Sequence, residues 1–247
     1  PTIKEVYQRW MTERLEYEEI SLQSYNRYCN DFKRFFSDDL DITNKKMREV
    51  SSTELIAFIK TSIKKHSLTA KAYSGLRTII RGLFIYGKEH NYTSLSMSEF
   101  FGDLNLPRSI FKKKIINKEH EIFFEDEIPL ITEFLKQSSN IIDLGLLLQF
   151  QTGLRIGELT GLKFKDRSGK IIHIQRTEIE YKDPATDRYV REVREWPKSD
   201  SGNRHLIVTD KAIETIDMIK QLNPDGTFMF EGENGNRIRS AAFQRRL

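Results

Sequence analysis

Apolar positions recur at helical spacing through the first ninety or so residues. Ile3, Val6, Trp10 and Leu15, with Tyr7 and Met11 beside them, mark an amphipathic helix running to about Glu19, and Thr2 with Glu5 forms a capping-box pattern at its start. Ser21 is placed to cap a second helix whose buried stripe is Leu22, Tyr25, Tyr28, Cys29, Phe32, Phe35 and Phe36. Ser51 and Glu54 repeat the capping box ahead of Leu55, Phe58, Ile59 and Ile63. Ser67 to Thr69 opens a fourth helix, with Ala72, Tyr73, Leu76, Ile79, Ile80, Leu83 and Phe84 inside, and the pattern fades by His90 and Asn91. Four helices of about 10–20 residues with short joints predict a compact bundle. Periodicity weakens from Asn91 to Lys118. Ser94, Ser96 and Ser98 alternate with Leu95 and Met97, Pro107 stops any helix, and Lys112, Lys113 and Lys114 sit in what reads as a basic interdomain linker.

The pattern then restarts. Phe124 to Pro129 opens a helix with an acidic first turn, which suits the helix dipole. Ile141 to Phe150 is apolar on nearly every side and reads as a buried helix capped by Asn140. Thr152 and Gly153 break it, and a further helix follows with Arg155 in its first turn. Past Lys163 the period changes to two. Ile171–Gln175, Thr177–Glu180, Tyr189–Trp196 and His205–Val208 read as strands, and Pro197 to Arg204 as a tight polar hairpin. Neither face of Tyr189–Trp196 is uniformly apolar, so the sheet is expected to be small and partly exposed. Thr209 or Asp210 caps a helix from Ala212 to Leu222, Asn223 to Gly226 makes a turn, and Arg237 onward begins a last helix.

Composition narrows the function classes. Of 247 residues 31% are charged and 38% hydrophobic, an ordinary globular balance, and no apolar run approaches the roughly 20 residues of a membrane span. The single cysteine, Cys29, excludes an intrachain disulfide and suits a reducing, cytoplasmic setting. Net charge is +4, unevenly spread: residues 1–118 carry 21 Lys and Arg against 14 Asp and Glu, residues 119–247 carry 19 against 22. A basic first half is compatible with a polyanionic partner and equally with a solvated face. Arg27, Arg34, Lys71, Arg77 and Arg81 lie on the outward sides of the second and fourth helices, near Ser24, Ser74 and Thr78, the side-chain types that meet phosphate oxygens.

No metal or cofactor is called for. His66, His90, His120, His173 and His205 are not at ligand spacing, and the glycines make neither a P-loop nor a dinucleotide fingerprint. What remains is cationic. Arg155 and Glu158, three apart, share a helix face, and two readings stay open: an ion pair that ties helices together, or a guanidinium fixed by a carboxylate and aimed at a phosphate. Lys198, at the tip of a hairpin with Arg204 across from it, is an exposed hairpin lysine or a proton donor to a leaving oxygen.

Taken together, these residues resemble the tyrosine recombinases, the phage-integrase family. The run Thr152-Gly153-Leu154-Arg155-Ile156-Gly157-Glu158-Leu159-Thr160-Gly161-Leu162, followed by Asp166, looks like that family's first arginine box, and Pro197-Lys198 with Arg204 looks like its lysine hairpin. The resemblance covers the whole chain and is most specific at the arginine box. It implies a mainly α chain: a helical, SAM-like core-binding domain over residues 1–110, a basic linker at 111–118, and at 119–247 an α+β catalytic domain with a small antiparallel sheet. It implies site-specific recombination or integration of double-stranded DNA, with Arg155 on the scissile phosphate, Glu158 in support and Lys198 as general acid. Arg27, Arg34, Lys71, Arg77, Arg81, Lys112, Lys113, Lys114 and Arg204 would be DNA contacts, and self-association on DNA would follow in the full-length protein.

The family also needs a His-x-x-Arg box, a further His or Trp, and a tyrosine nucleophile near its C-terminus. Here no histidine follows His205 and no tyrosine follows Tyr189. The resemblance therefore implies a catalytic domain incomplete at its C-terminus, in a chain that binds DNA without cutting it. The alternatives are a catalytically inert DNA-binding or architectural protein with the same fold, and a helical protein-interaction module. Without a nucleophile no 3′-phosphotyrosine forms, so a suicide DNA substrate incubated with this chain should yield no covalent protein–DNA adduct on a denaturing gel. Turnover of that substrate would overturn the expectation.

Overall fold

Helix-start chemistry accounts for where the first helices begin. The computed structural model describes residues 1–37, 39–113, 122–195, 202–232 and 234–246, and α1 (Ile3–Glu16) opens on the expected capping box: Thr2 Oγ1 accepts from the Glu5 N–H at 3.2 Å and Glu5 Oε2 from the Thr2 N–H at 2.9 Å. Ser21 caps α2 (Leu22–Phe36), Ser51 and Glu54 box α4 (Ser52–Lys65), and Thr69 caps α5 (Ala70–Glu89). Two short helices carried no usable sequence signal. Asp39 caps the five-residue α3 (Leu40–Asn44), and α6 (Met97–Asp103) lies in the stretch of alternating serines. α6 buries only Met97 and Phe100, too few for a period to show.

The chain divides into two compact units, Pro1–Ile116 with Lys182–Asp187, and Asn117–Tyr181 with Arg188–Leu247. The first is held by an aromatic stack. Tyr7 lies on Phe32 at 3.7 Å between centroids, Phe32 on Phe36 at 4.7 Å, and Phe36 against Phe58 at 4.8 Å. Leu76, Ile79, Ile80, Leu83 and Phe84 of α5 complete the core. Cys29 is half-buried, at the edge of the core. Of the expected linker, Phe111 to Lys113 are described, and there the Lys112 N–H donates to Leu68 O at 2.9 Å within the first unit.

In the second unit α8 (Ile141–Thr152) is the central helix, buried from Asp143 through Leu148 and packed against α7 (Glu127–Lys136), α10 (Asp210–Leu222) and α11 (Ser240–Arg246). α7 meets it along one side only: Leu135 is buried while Leu130 and Phe134 stay exposed. After the five-residue α9 (Ile156–Thr160) come β1 (Arg167–Ser168), β2 (Ile171–Ile174), β3 (Thr177–Lys182), β4 (Tyr189–Arg194) and β5 (Arg204–Ile207). The pairing differs from the expected hairpin of residues 189–208. β5 lies antiparallel to β2, with Ile172 opposite Leu206 and Ile174 opposite Arg204, in a sheet ordered β1-β2-β5, while β4 pairs with β3. Burial decides this, since Ile172 and Ile174 are closed from water beneath the β2–β5 pair whereas β4 buries nothing fully. Among the described residues no helix is long and apolar enough to cross a membrane.

Gly145 marks the tightest approach in this core. A Cβ there would stand 2.4 Å from Phe243 Cε1 and 2.8 Å from Phe230 Cε1, on two fully buried rings. Alanine gains about 1 kcal/mol in helix propensity, but overpacking a closed core costs about 1–3 kcal/mol. Gly145→Ala should therefore lower the urea midpoint at unchanged m-value. A raised midpoint would show that the rings yield.

Candidate functional site

The site begins at the end of α8. Gly153 takes a φ of 67°, the left-handed conformation that ends helices, and its N–H donates to Gln149 O at 2.8 Å. Leu154 then dives into the core, and Arg155 becomes the residue before α9, with extended backbone. The expectation that Arg155 lies inside the first turn, against the dipole, is corrected. The arginine stands just outside, and Glu158 supplies a carboxylate to the first turn instead. Gly157 lets this turn lie on β3: a Cβ there would be 2.7 Å from Thr177 Oγ1 and 2.9 Å from Glu178 O.

Glu158 is buried, with 4% of its side chain exposed, and four donors surround it. Its Oε2 accepts from the Arg155 N–H at 3.0 Å and from Arg204 Nη2 at 2.9 Å; its Oε1 accepts from Arg155 Nη1 at 2.9 Å and from Arg204 Nη1 at 3.0 Å. Burial pushes the carboxyl upward, but the hydrogen bonds from Arg204 and Arg155 outweigh it and hold Glu158 below the ordinary carboxylate value. Arg204 is in turn raised, chiefly by its bond to Glu158. The Arg155 side chain is 76% exposed, so one guanidinium is fixed at one nitrogen and open to water at the rest. Such a group can take a phosphate in the plane of its fork.

Of the other candidates, Arg204 comes to Glu158 rather than standing apart, and Lys198 and Lys114 lie outside the described residues. Arg27, Arg34, Lys71, Arg77 and Arg81 are all exposed in the first unit; Arg27 lies over Tyr28, Arg34 over Phe35 and Arg77 over Phe101. Arg34, Lys112 and Lys113 share a cavity of about 450 Å³ with the start of α5. Ser74 and Thr78 donate their hydroxyls to the Lys71 and Ser74 carbonyls, so neither proton is offered outward. Asp166 is buried in a structural role, taking two bonds from Arg176 Nη1 at 2.6 and 2.8 Å.

Other residues of the region had no mark in the sequence. Glu178 on β3, its side chain 7% exposed, bonds to Arg237 and accepts from the Ser240 N–H at 3.1 Å, fixing the start of α11 beside α9. His173 and His205, thirty-two positions apart, lie opposite one another on β2 and β5 with rings stacked at 4.5 Å, and His173 Nε2 is 2.7 Å from Asn203 Oδ1. No spacing rule finds such a pair, because the register creates it. Among the described residues no group of three or more His, Cys, Asp or Glu is placed to hold a metal ion.

The Glu158 assignment predicts a pH signature. A carboxyl whose folded pKa lies below its unfolded value, about 4.3, contributes stability that is full above that pH and is lost as pH falls through the lower folded value. The stability difference between wild type and Glu158→Gln should thus be largest near neutrality, of the order of 1.5–3 kcal/mol for charged hydrogen bonds, and shrink below about pH 4.3. Urea unfolding of both proteins across that range checks it. A pH-independent difference would remove Glu158 as the ionised centre.

No protein-family model and no curated protein matches this sequence. Solved structures do. The chain is similar to the Tn1549 transposon integrase (residues 82–397) in complex with circular intermediate DNA, with a TM-score of 0.69 and 14% identity over 99% of this chain and 76% of that one. It is similar to the lambda integrase (residues 75–356) bound to DNA, with a TM-score of 0.62 and 15% identity over 99% and 75%. A lambda integrase tetramer bound to a Holliday junction matches at a TM-score of 0.64 and 15% identity over 100% and 64%. The mainly helical chain with its small antiparallel sheet has the tyrosine-recombinase fold, including the α+β architecture of that fold's catalytic domain.

Proposed function

We propose that this chain binds double-stranded DNA and seats a backbone phosphate on Arg155, as the phosphate-holding part of a DNA strand-exchange enzyme of the tyrosine-recombinase type. The observation that carries this reading is the contrast within one ion pair: a carboxylate 4% exposed fixing a guanidinium 76% exposed. A pair that served packing alone would bury both partners. A pair that presents a cation buries the anchor and leaves the cation in water, where a phosphate can replace the water.

Around that point the remaining roles are assigned by resemblance. Lys198, six residues before Arg204 in the chain, would protonate the 5′-oxygen leaving group. Arg27, Arg34, Lys71, Arg77, Arg81, Lys112, Lys113 and Lys114 would neutralise phosphates along the duplex, consistent with the excess of Lys and Arg in residues 1–118. The similar Tn1549 and lambda integrases are seen in complex with DNA, and lambda integrase as a dimer and a tetramer on it, which supports duplex DNA as partner and self-association on it. For the described residues of the site the role proposed is phosphate binding and charge neutralisation.

The test is Arg155→Ala. A lost charge-assisted contact is worth about 1.5–3 kcal/mol, so duplex binding should weaken about 10- to 100-fold at low salt. The slope of log Kd against log salt should fall by about 0.9 for the one phosphate no longer neutralised, equally for unrelated DNA sequences. Fluorescence anisotropy with two unrelated duplexes measures both. An unchanged Kd and slope would leave Arg155 as a structural partner of Glu158.

A further inference from the structure

We propose that Arg204 is the positioning residue of this site: by occupying both oxygens of Glu158 it keeps the Arg155 guanidinium turned outward, and it does not itself hold a phosphate. The inference rests on the phosphate reading of Arg155 and adds the device that makes the arginine available.

A carboxylate accepts about four hydrogen bonds, two at each oxygen. All four positions on Glu158 are filled, and the division is unequal. Arg204 places Nη1 on Oε1 and Nη2 on Oε2, the two-pronged arrangement, whereas Arg155 contributes one backbone N–H and one guanidinium nitrogen. The two-pronged pair is the strongest geometry a guanidinium can find on a carboxylate. With Arg204 in that place, Arg155 cannot adopt it. Its Nε and Nη2 have no hydrogen-bond partner among the described residues.

Charge works the same way. One buried carboxylate facing Arg155 alone would neutralise it, and the pair would offer a phosphate little. With Arg204 added, the cluster carries one net positive charge, and exposure assigns it to Arg155: that side chain is 76% exposed, Arg204 33%. Arg204 is also the better fixed of the two. It begins β5, sits opposite Ile174 in the sheet, and gives a further bond from Nη1 to Gly202 O at 3.3 Å. The arginine that the sequence offers as a DNA contact is already committed to protein, and its effect on DNA passes through Glu158 and Arg155.

A double-mutant cycle on DNA binding tests this, using anisotropy of a labelled duplex of random sequence over a range of salt, with Arg155→Ala, Arg204→Met and the double variant. Methionine keeps an unbranched stem in place of the arginine, and Arg204→Lys is the second variant, which keeps the charge but cannot span both carboxylate oxygens. Cooperative urea unfolding is required of each before binding is compared. The expected result is that Arg204→Met weakens binding nearly as much as Arg155→Ala. The double variant should bind within about twofold of Arg155→Ala, and the salt slope should fall once, by about 0.9, in all three. Arg204→Lys should fall toward Arg204→Met despite its retained charge. Losses that multiply in the double variant, with a slope that falls twice, would make Arg204 a phosphate ligand in its own right and overturn the proposal. So would an Arg204→Met protein that folds and binds like wild type. If instead Arg155→Ala alone binds like wild type, the phosphate reading itself is wrong, and the positioning role goes with it.

Discussion

The carboxylate of Glu158 has almost no contact with water, and four hydrogen bonds come to it from two arginines. An ionised carboxylate in such a place costs several kcal/mol unless it is paired and its lone pairs are filled, so the chain around it is constrained. The turn at Gly153 must bring Arg155 to the start of α9, and Gly157 must let α9 lie on the β3 backbone. β5 must run beside β2 so that Arg204 arrives at the same oxygens. Strand pairing, helix packing and the presentation of an exposed cation are in this sense conditions on one another.

The same rule recurs in the second unit, where each buried acid finds an arginine from a distant point in the chain or from across a turn. Asp143 in the first turn of α8 takes Arg246 from α11 at 2.6 and 2.8 Å and Ser138 at 2.7 Å. Asp166 takes Arg176, and Glu178 takes Arg237. Removing one partner of such a pair costs far more than the pair contributes net, so the value of these contacts lies in specifying which elements meet. α11 is fixed twice, to α8 through Asp143 and to the β3 and α9 region through Glu178 and Ser240. It is thereby held beside the arginine turn.

Local chemistry made much of the first unit readable. Thr2 with Glu5 and Ser51 with Glu54 satisfy the first free N–H groups of their helices within a few residues of chain, and the stripes after them alternate at 3.6 residues because one face of each helix meets the aromatic core. α3 and α6 were not readable, since five and seven residues bury too little to set a period. Four of the five strands were placed to within two residues and the two-residue β1 was not read as a strand; the partners were not placed, because alternation reports which face of a strand is buried and says nothing about which strand lies beside it.

For the site, the sequence by itself determined that Arg155 and Glu158 can meet, since three positions on one helical turn are neighbours in any fold. Which of the two ionic partners is buried, and that Arg204 fills the other side of Glu158, was decided only by the tertiary structure. Forty-six residues separate Glu158 from Arg204, and their meeting depends on the register of β5 on β2, a long-range pairing set by burial of Ile172 and Ile174. Desolvation has no local signature: the same Glu158 three residues from Arg155 would be a wet surface pair or a buried anchor according to what the rest of the chain packs over it.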